Sequence, residues 1–361
     1  MDSATLERRK NSYKGVATMY YAGLDVASSG SYVYVVDRRG RKVEGREIPT
    51  SRKWYKWYFK QWKKKLVTVA VEAGGHTRWI FDTLKGIGIE VYVVNPNKVK
   101  LIAETKRKTD KVDAKVLAEL LRIDGLPERI HMVEGQSREL RDLLRARQQL
   151  IKSATSLMNH LRGLLRQEGI RFESEVFRDE RVFEQLKKNK DVPEHLRPVI
   201  ESYRRSISEL LKERGEMDKE IGKHQNKDID LLKSVPGIGE VASKTIYAAI
   251  DTIKRFGSAK KLTSYCGLVP SVRSSGERTD YGHITREGRS EVRRVAIQGA
   301  HAILRSKSME SRPFRLWHER VAKRRGKRTA LVGLARRMLQ TVFYVLRDQR
   351  AYDYRLLLQV K

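Results

Sequence analysis

The stretch that decides the fold reads MYYAGLDVASSGSYVYVVDRRGRKVEGREIP and covers residues 19–49. Its short apolar runs are separated by glycine, serine and charged residues, a pattern that predicts three short strands joined by turns. The second turn spans Asp37 to Gly40. We therefore expect an antiparallel meander at the start of the first domain.

A βαβ unit is predicted directly downstream. LVTVAVEA (66–73) and IEVYVVNP (89–96) have the composition of buried strands, and a helix through residues 78–84 separates them. The predicted order is βββαβαβα. With right-handed crossovers, the first and fourth strands of this order can lie side by side at the centre of the sheet.

The segment between the meander and this unit, SRKWYKWYFKQWKKK (51–65), predicts an amphipathic helix. Its aromatic arc holds Trp54, Tyr55, Trp57, Tyr58, Phe59 and Trp62. Aromatic residues at helical spacing are more often core than a platform for bases, so we predict that these rings are buried. The opposite arc, which includes Lys53, Lys56 and Lys60, is predicted to face phosphates.

The composition favours a nucleic-acid partner. The chain of 361 residues has 76 Lys and Arg against 44 Asp and Glu, a formal charge of +32, and 40% hydrophobic residues. A basic surface on a chain able to form a core fits polyanions, with an anionic membrane surface as the competing partner. The first residues lack the apolar run of a signal peptide, so a cytoplasmic, nucleoid-associated protein is expected. A single cysteine and unpaired histidines leave oxygen as the ligand for any metal.

Four segments are predicted along the chain. An N-terminal extension (1–18) precedes an α/β domain (19–134). Long charged helical patterns without strands follow at 135–227 and predict an antiparallel helical pair or coiled coil, broken near Pro193 and Pro198, that serves as linker and dimerisation region. The last segment, 228–361, is predicted to be mostly short helices with a basic tail.

Four acidic residues stand out in this basic chain. Asp110 and Asp113 face the same way on a helix, in KTDKVDAKVLAELL; by themselves they fit an N-terminal cap with first-turn acids better than a metal site. Asp25 in AGLD and Glu72 in AVEAGG end the first and fourth strands. If the strands are neighbours, all four carboxylates converge, and two Mg²⁺ ions would neutralise them and support phosphodiester chemistry.

The C-terminal segment contains two further motifs. SVPGIGEVASKTIYAAI places Gly237 and Gly239 between two helical patterns, which fits a helix-hairpin-helix that binds phosphate or an ordinary glycine-capped pair of helices. YCGLVPSVRSSGERTDYGHITREGRSEVRR is predicted to be a polar loop that binds DNA. Its arginines are Arg273, Arg278, Arg286, Arg289, Arg293 and Arg294. A serine attacking phosphate beside these guanidinium groups is the other interpretation.

The motifs AGLDVA, AVEAGG and KTDKVDAKVLAELL, in this order, resemble the RuvC-like, ribonuclease H-fold domain of the DEDD transposases of prokaryotic insertion sequences. The group is the one-ten insertion-sequence family, also called bridge recombinases. GLVPSVRSSG followed by GHITREGRSEVRR resembles the family's second domain. The resemblance covers roughly residues 19–315.

This resemblance implies a set of roles. Asp25, Glu72, Asp110 and Asp113 would be the metal ligands, with Mg²⁺ as the ion and Mn²⁺ as a substitute. Ser275, with Ser274 adjacent, would be the nucleophile that forms a covalent 5′-phosphoserine and frees a 3′-OH. The family further implies a structured noncoding bridge RNA that pairs with donor and target DNA, and a dimer of dimers in which acids and serine of different protomers meet.

Two other functions fit the same sequence. The first is a junction-resolving or structure-specific endonuclease that uses the four acids with water as the nucleophile. The second is a noncatalytic scaffold that binds nucleic acid, although four clustered acids would weaken binding to a polyanion.

Overall fold

The computed structural model describes residues 19–63, 65–102, 110–172, 180–275 and 278–355. The chain divides into two compact units, Met1–Met132 and Val133–Lys361. The predicted N-terminal extension, residues 1–18, lies outside the described residues.

The first unit opens with the predicted meander. Its strands are β1 (Tyr20–Val26), β2 (Gly30–Asp37) and β3 (Lys42–Pro49), and both pairs are antiparallel. The turn from Asp37 is closed by a hydrogen bond from the Gly40 amide to the Asp37 carbonyl at 3.0 Å. Gly40 has a φ of 79°, a left-handed conformation that favours glycine. The Asp37 carboxylate accepts the amides of Arg39 and Arg41 at 2.8 and 2.9 Å, which fixes the turn.

The βαβ unit follows in the predicted order. The remaining elements of the first compact unit are α1 (Arg52–Lys60), β4 (Leu66–Glu72), α2 (Thr77–Gly86), β5 (Val91–Val94), α3 (Pro96–Lys100) and α4 (Asp110–Arg122). The sheet order is β3-β2-β1-β4-β5, with β1 parallel to β4 and β4 parallel to β5. The prediction that the first and fourth strands are neighbours is confirmed. The short helix α3 was not predicted.

The aromatic helix α1 only partly follows the sequence prediction. Ser51 caps its N-terminus, since its hydroxyl accepts the Trp54 amide at 3.4 Å. The buried aromatic residues of the segment are Tyr55, Tyr58, Phe59 and Trp62. Trp54 and Trp57 are instead exposed, so the prediction that all six rings are core is wrong for these two. The other four rings pack in the core of the sheet.

The second unit begins with the predicted helical pair. Its elements are α5 (Gly135–Gln167), α6 (Glu180–Lys188) and α7 (Arg197–Lys223), with a 3-10 turn at Glu194–Leu196. Leu140 near the start of α5 packs with Ile221 near the end of α7, while Leu161 packs with Ile200, so the two long helices are antiparallel. Pro193 precedes the 3-10 turn, where the predicted break falls.

The rest of this unit surrounds one apolar core. Its elements are α8 (Lys227–Lys233), α9 (Glu240–Ile250), α10 (Ala259–Tyr265), β6 (Pro270–Ser275), β7 (Arg278–Ile284), α11 (Ser290–Arg305), α12 (Arg312–Arg325) and α13 (Lys327–Asp348). The prediction of a polar loop is wrong for residues 270–284, because β6 and β7 pair as an antiparallel hairpin. The prediction of short helices is also wrong for α13, which has 22 residues. None of the described helices combines the length and apolar character that crossing a membrane requires.

Candidate active site and nucleic-acid interface

Two acidic residues lie at the carboxyl ends of neighbouring parallel strands. Leu24 on β1 is opposite Val71 on β4, so Asp25 and Glu72 follow at the same level of the sheet edge. Leu24 and Val71 both pack in the core on one face of the sheet. Because successive side chains on a strand alternate between faces, Asp25 and Glu72 both project from the other face.

Helix α4 packs on that other face because β1 has a glycine there. A Cβ atom on Gly23 would lie 1.9 Å from the Ala114 carbonyl oxygen and 2.6 Å from the Ala118 amide nitrogen. Only a residue without a side chain allows this approach. Asp113 directly precedes Ala114, and Asp110 lies one turn earlier, so the first turn of α4 brings two more acids to the same side of the sheet.

These acids interact electrostatically. Partial burial raises the pKa of Asp25, and the negative charges of Asp110 and Asp113 raise it further. The Val26 amide donates to Asp25 Oδ1 at 3.0 Å and acts in the opposite direction. Three carboxylates therefore lie within electrostatic range of one another, an arrangement that a bound cation would relieve.

The end of β4 is fixed by a threonine. The buried Thr77 hydroxyl donates to the Glu72 carbonyl oxygen at 2.9 Å and accepts the Gly74 amide at 2.7 Å. These two bonds define the turn that follows the strand. The Thr77 hydroxyl thus holds the backbone on the C-terminal side of the half-buried Glu72 side chain.

The acids fit a divalent cation in charge and chemistry, but they do not form a coordination shell. Hard cations such as Mg²⁺ prefer carboxylate oxygens, and the pKa of Asp25 is raised by burial and then by the charges of Asp110 and Asp113, both of which a bound cation would offset. Among the described residues, which include all four acids, no three His, Cys, Asp or Glu side chains are close enough to hold a metal ion. Asp110 is exposed at the first residue of α4, and the residue before it, Thr109, lies outside the described residues.

The predicted serine lies on the hairpin of the second unit. Ser275 is the last residue of β6 and is opposite Arg278, and Ser274 is opposite Thr279. Residues 276 and 277, which follow Ser275, lie outside the described residues. The serine is therefore carried at the tip of a two-stranded hairpin.

The base of this hairpin is held by two glycines in the left-handed region. Gly267 has a φ of 66°, and a Cβ atom there would lie 2.2 Å from the Glu287 carbonyl oxygen. Gly288 has a φ of 92°, and its Cβ would lie 2.1 Å from the Tyr265 carbonyl oxygen. The segments that enter and leave the hairpin are thus in contact through their backbones.

Two of the predicted DNA-binding arginines also hold this base. Arg293 donates through Nη1 to the Cys266 carbonyl oxygen at 3.0 Å. Arg289 donates through Nε to the Tyr265 hydroxyl at 2.8 Å. Arg286 is exposed after β7 with a φ of 56°, while Arg273 and Arg278 lie on the strands themselves.

The two glycines of the predicted helix-hairpin-helix have different surroundings. Gly237 has a φ of 82°, and a Cβ atom there would lie 2.4 Å from the Gly299 carbonyl oxygen on α11. Its conformation is therefore needed for packing between helices. Gly239 is the N-terminal cap of α9, with nothing within 4 Å of its Cβ position. Of the two glycines, Gly239 is the one with open space beside it.

A cationic groove in the second unit was not predicted. Its volume is about 600 Å³, and α5, α9 and α11 line it. Its cationic residues are Arg141, Arg145, Arg147, Lys152 and Arg294, and Glu291 is its one acid. Arg294 was among the predicted DNA-binding residues; the others lie in the segment that was predicted to be a linker.

Arg141 and Arg147 are held in place by internal hydrogen bonds, Arg147 by one to the Asp218 carboxylate. Arg141 donates through Nε to the Ala248 carbonyl oxygen at 2.6 Å and through Nη2 to that of Ala249 at 2.9 Å, at the C-terminus of α9. Burial lowers the pKa of Arg294; the negative charge of Glu291 acts in the opposite direction, and the positive charge of Arg147 adds a smaller lowering effect. Cations held this close together favour a bound anion. No local motif could have revealed the groove, because Arg141 is 107 residues from Ala248 in sequence.

Two models of transposase families match this chain. Residues 22–170, which contain all four acids, match the family model of the DEDD transposases of IS110, described as Transposase. Residues 229–314, which contain the hairpin, match the model described as Transposase IS116/IS110/IS902 family. The protein is thus of the DEDD transposase class. Because the two models together cover well over half of the chain, the chain belongs to the IS110/IS116 family of insertion-sequence transposases.

Full-length relatives agree with this assignment. The chain is 27% identical over 359 residues to the "Transposase for insertion sequence element IS1111A" of Coxiella burnetii, covering 96% of this chain and 94% of that protein. It is 24% identical over 338 residues to the "Probable family 20 transposase" of Pseudomonas aeruginosa, covering 91% and 97%. Both similarities extend over the two units.

Proposed function

We propose that this protein is the transposase of an insertion sequence, which cleaves DNA at the ends of its element and joins the strands to a target. The observation that carries the proposal is the grouping of acids on one edge of the sheet, in a chain whose two units match the two transposase models in order. The net charge of +32 supports nucleic acid as the partner.

In this proposal the first unit is a RuvC-like, ribonuclease H-fold domain that binds divalent metal ions. Asp25, Glu72, Asp110 and Asp113 would hold two Mg²⁺ ions, for which Mn²⁺ could substitute. Metal ions bound there would supply charge stabilisation at the phosphate oxygens. The four residues themselves position negative charge at one edge of the sheet, where Gly23 allows α4 to lie close to β1.

Ser275 is the proposed nucleophile. Its hydroxyl oxygen would form a bond to the phosphorus of the DNA backbone while the bond from phosphorus to the 3′ oxygen breaks. The products are a 5′-phosphoserine and a free 3′-OH, the serine proton having passed to a base or to water. Rejoining reverses these bonds on another strand, so the energy of the phosphodiester is kept. Arginines near the hairpin would stabilise charge on the phosphoryl oxygens.

The proposed partners are DNA and a structured noncoding guide RNA, with the protein acting as a homodimer or dimer of dimers. The RNA and the assembly come from the family resemblance. Predicted nucleic-acid contacts are Gly237, Gly239, Arg273, Arg278, Arg286, Arg289, Arg293, Arg294, Lys53, Lys56 and Lys60. We assign the cationic groove to backbone phosphates as well, since it clusters cations that are already oriented by internal bonds.

A DNA cleavage and strand-transfer assay tests this proposal. Purified protein is incubated with labelled element ends, the flanking RNA and Mg²⁺. Asp113→Asn is expected to lose cleavage, while the matched control Asp124→Asn, an exposed acid just after α4 with a φ of 59°, retains it. Cleavage by Asp113→Asn at the wild-type rate would overturn the assignment of the acids.

The nucleophile is tested in the same assay with paired serine substitutions. Ser275→Ala is expected to abolish cleavage and Ser274→Ala to preserve it. Cleavage that survives Ser275→Ala but is lost in Asp113→Asn would identify a metal-dependent endonuclease that uses water. No cleavage by the wild type, with binding of the element ends unchanged in both variants, would identify a noncatalytic scaffold.

A further inference from the structure

The outward face of α1 exposes two tryptophans. Trp54 is 43% exposed and Trp57 is 58% exposed, although the same helix buries Tyr55, Tyr58 and Phe59 completely. The two exposed rings meet edge to face, with centroids 5.3 Å apart and an interplanar angle of 84°. Because they are three residues apart on a helix, the two rings form one continuous aromatic surface. Large apolar rings left together in water mark a contact surface.

Lysines border this aromatic surface on the side of Trp57. Lys53 is four residues before Trp57 and Lys60 three residues after it, so both are its neighbours on the helix surface. Lys56 lies beside Lys60, and all three lysines are exposed. The sequence from residue 52 to residue 65 contains no acidic residue. The surface therefore combines aromatic faces with positive charge that no acid in the segment offsets.

This combination favours one kind of partner over two others. A second copy of the chain related by a two-fold axis would place lysines against the same lysines, which repel. A membrane surface would require a broad apolar face, but the broad apolar face of α1 is already packed in the core. Single-stranded nucleic acid offers both phosphates for the lysines and flat bases for the rings.

We propose that α1 binds unpaired nucleotides, with Trp54 and Trp57 stacking on bases and Lys53, Lys56 and Lys60 contacting the flanking phosphates. A duplex conceals the faces of its bases, so the surface selects single strands, loops or opened ends over duplex. Unpaired DNA and unpaired RNA present the same chemistry here. The inference shares with the proposed function only the need for a nucleic acid, because stacking requires neither the acids nor Ser275.

Fluorescence anisotropy without metal tests the proposal. The probes are a labelled fifteen-nucleotide oligo(dT), the corresponding oligo(U) and a duplex of equal length. Trp54→Ala/Trp57→Ala is expected to weaken binding of the single strands by about tenfold or more, since stacking on one ring is worth about 1–3 kcal/mol. Duplex affinity is expected to change by less than about twofold. The oligo(dT) and oligo(U) arms separate DNA from RNA as the preferred strand.

Three controls keep the test decisive. Trp54→Phe/Trp57→Phe retains flat rings and is expected to recover most of the affinity, which excludes a purely structural effect. Tyr344→Ala removes an exposed ring from the second unit and is expected to bind as wild type does. Asp124→Asn changes an exposed acid outside the proposed active site and is also expected to bind as wild type does. Because binding is measured without metal or cleavage, failure of the transposase proposal and failure of this one are distinguishable.

Three outcomes would overturn the proposal. The first is equal loss of affinity for single strands and duplex, which would indicate charge without stacking. The second is no loss for either. The third is an alanine variant that keeps its single-strand affinity but no longer binds phosphatidylserine vesicles, which would assign the surface to a membrane.

Discussion

Replacing Gly23 by alanine should separate the acids from one another. The added Cβ atom would lie 1.9 Å from the Ala114 carbonyl oxygen, whereas ordinary contact begins near 3.4 Å. The strand or α4 must therefore move by about 1.5 Å. Both contacting atoms, on Ala114 and Ala118, belong to the helix backbone, so no side chain can rotate away. Overpacking of this kind costs about 1–3 kcal/mol of the free energy of unfolding.

The functional effect should exceed the loss of stability. A misplacement of about 1 Å in a catalytic arrangement can cost about 10²-fold in rate. We therefore expect Gly23→Ala to lower the rate of DNA cleavage by at least that factor at a temperature where the protein remains folded. The rate is measured on labelled element ends, and the free energy of unfolding by urea titration.

Gly86→Ala is the matched control for this substitution. It lies at the end of α2 in the same unit, and nothing is within 4 Å of its Cβ position. It should keep both the cleavage rate and the stability of the wild type. If Gly23→Ala did the same, close packing of α4 on β1 would not be what positions the acids.

Two further substitutions have clear directions. Burial and neighbouring acids raise the pKa of Asp25 in the folded protein. Without metal, the free energy of unfolding therefore falls as pH rises from the ordinary carboxyl pKa through the folded pKa. Asp25→Asn should melt at a higher temperature than wild type at pH 7.5, and the difference should disappear in acid. An equal melting temperature at pH 7.5 would contradict this. Lys244 is fully buried and donates to the carbonyl oxygens of Ile221 and Gly222 at 2.7 and 3.2 Å. Lys244→Met should cost about 2–4 kcal/mol in urea titration, because it removes the buried cation from these two acceptors and leaves Glu240 with Lys233 alone. A loss below about 0.5 kcal/mol would show that water replaces the ammonium group.

Local sequence patterns were sufficient for much of the first unit. The apolar runs of 19–49, with a turn at Asp37, specify a meander because each strand and turn has its own short-range signal. The neighbouring position of β1 and β4 followed from the handedness of crossovers. The coupling of Asp25 with Asp110 and Asp113 depends on the packing of α4 on β1 at Gly23 as well as on the helical spacing.

What the sequence did not reveal depends on packing between distant segments. The hairpin of β6 and β7 is rich in Ser, Gly and Arg, which lowers its strand signal, and its base is held by Gly267 and Gly288 against residues at least twenty positions away. The exposure of Trp54 and Trp57 depends on which rings the sheet has room for. The cationic groove needs Arg141 to meet the end of α9, and no pattern within either segment encodes that contact.

The most direct test is to find the covalent bond itself. Wild-type protein is incubated with element-end DNA, flanking RNA and Mg²⁺, the DNA is digested, and peptides are sequenced by mass spectrometry. The expected result is a nucleotide phosphate on Ser275, absent from Ser275→Ala and from Asp113→Asn. Cleaved DNA with no nucleotide on any serine would contradict the proposed strand-transfer mechanism.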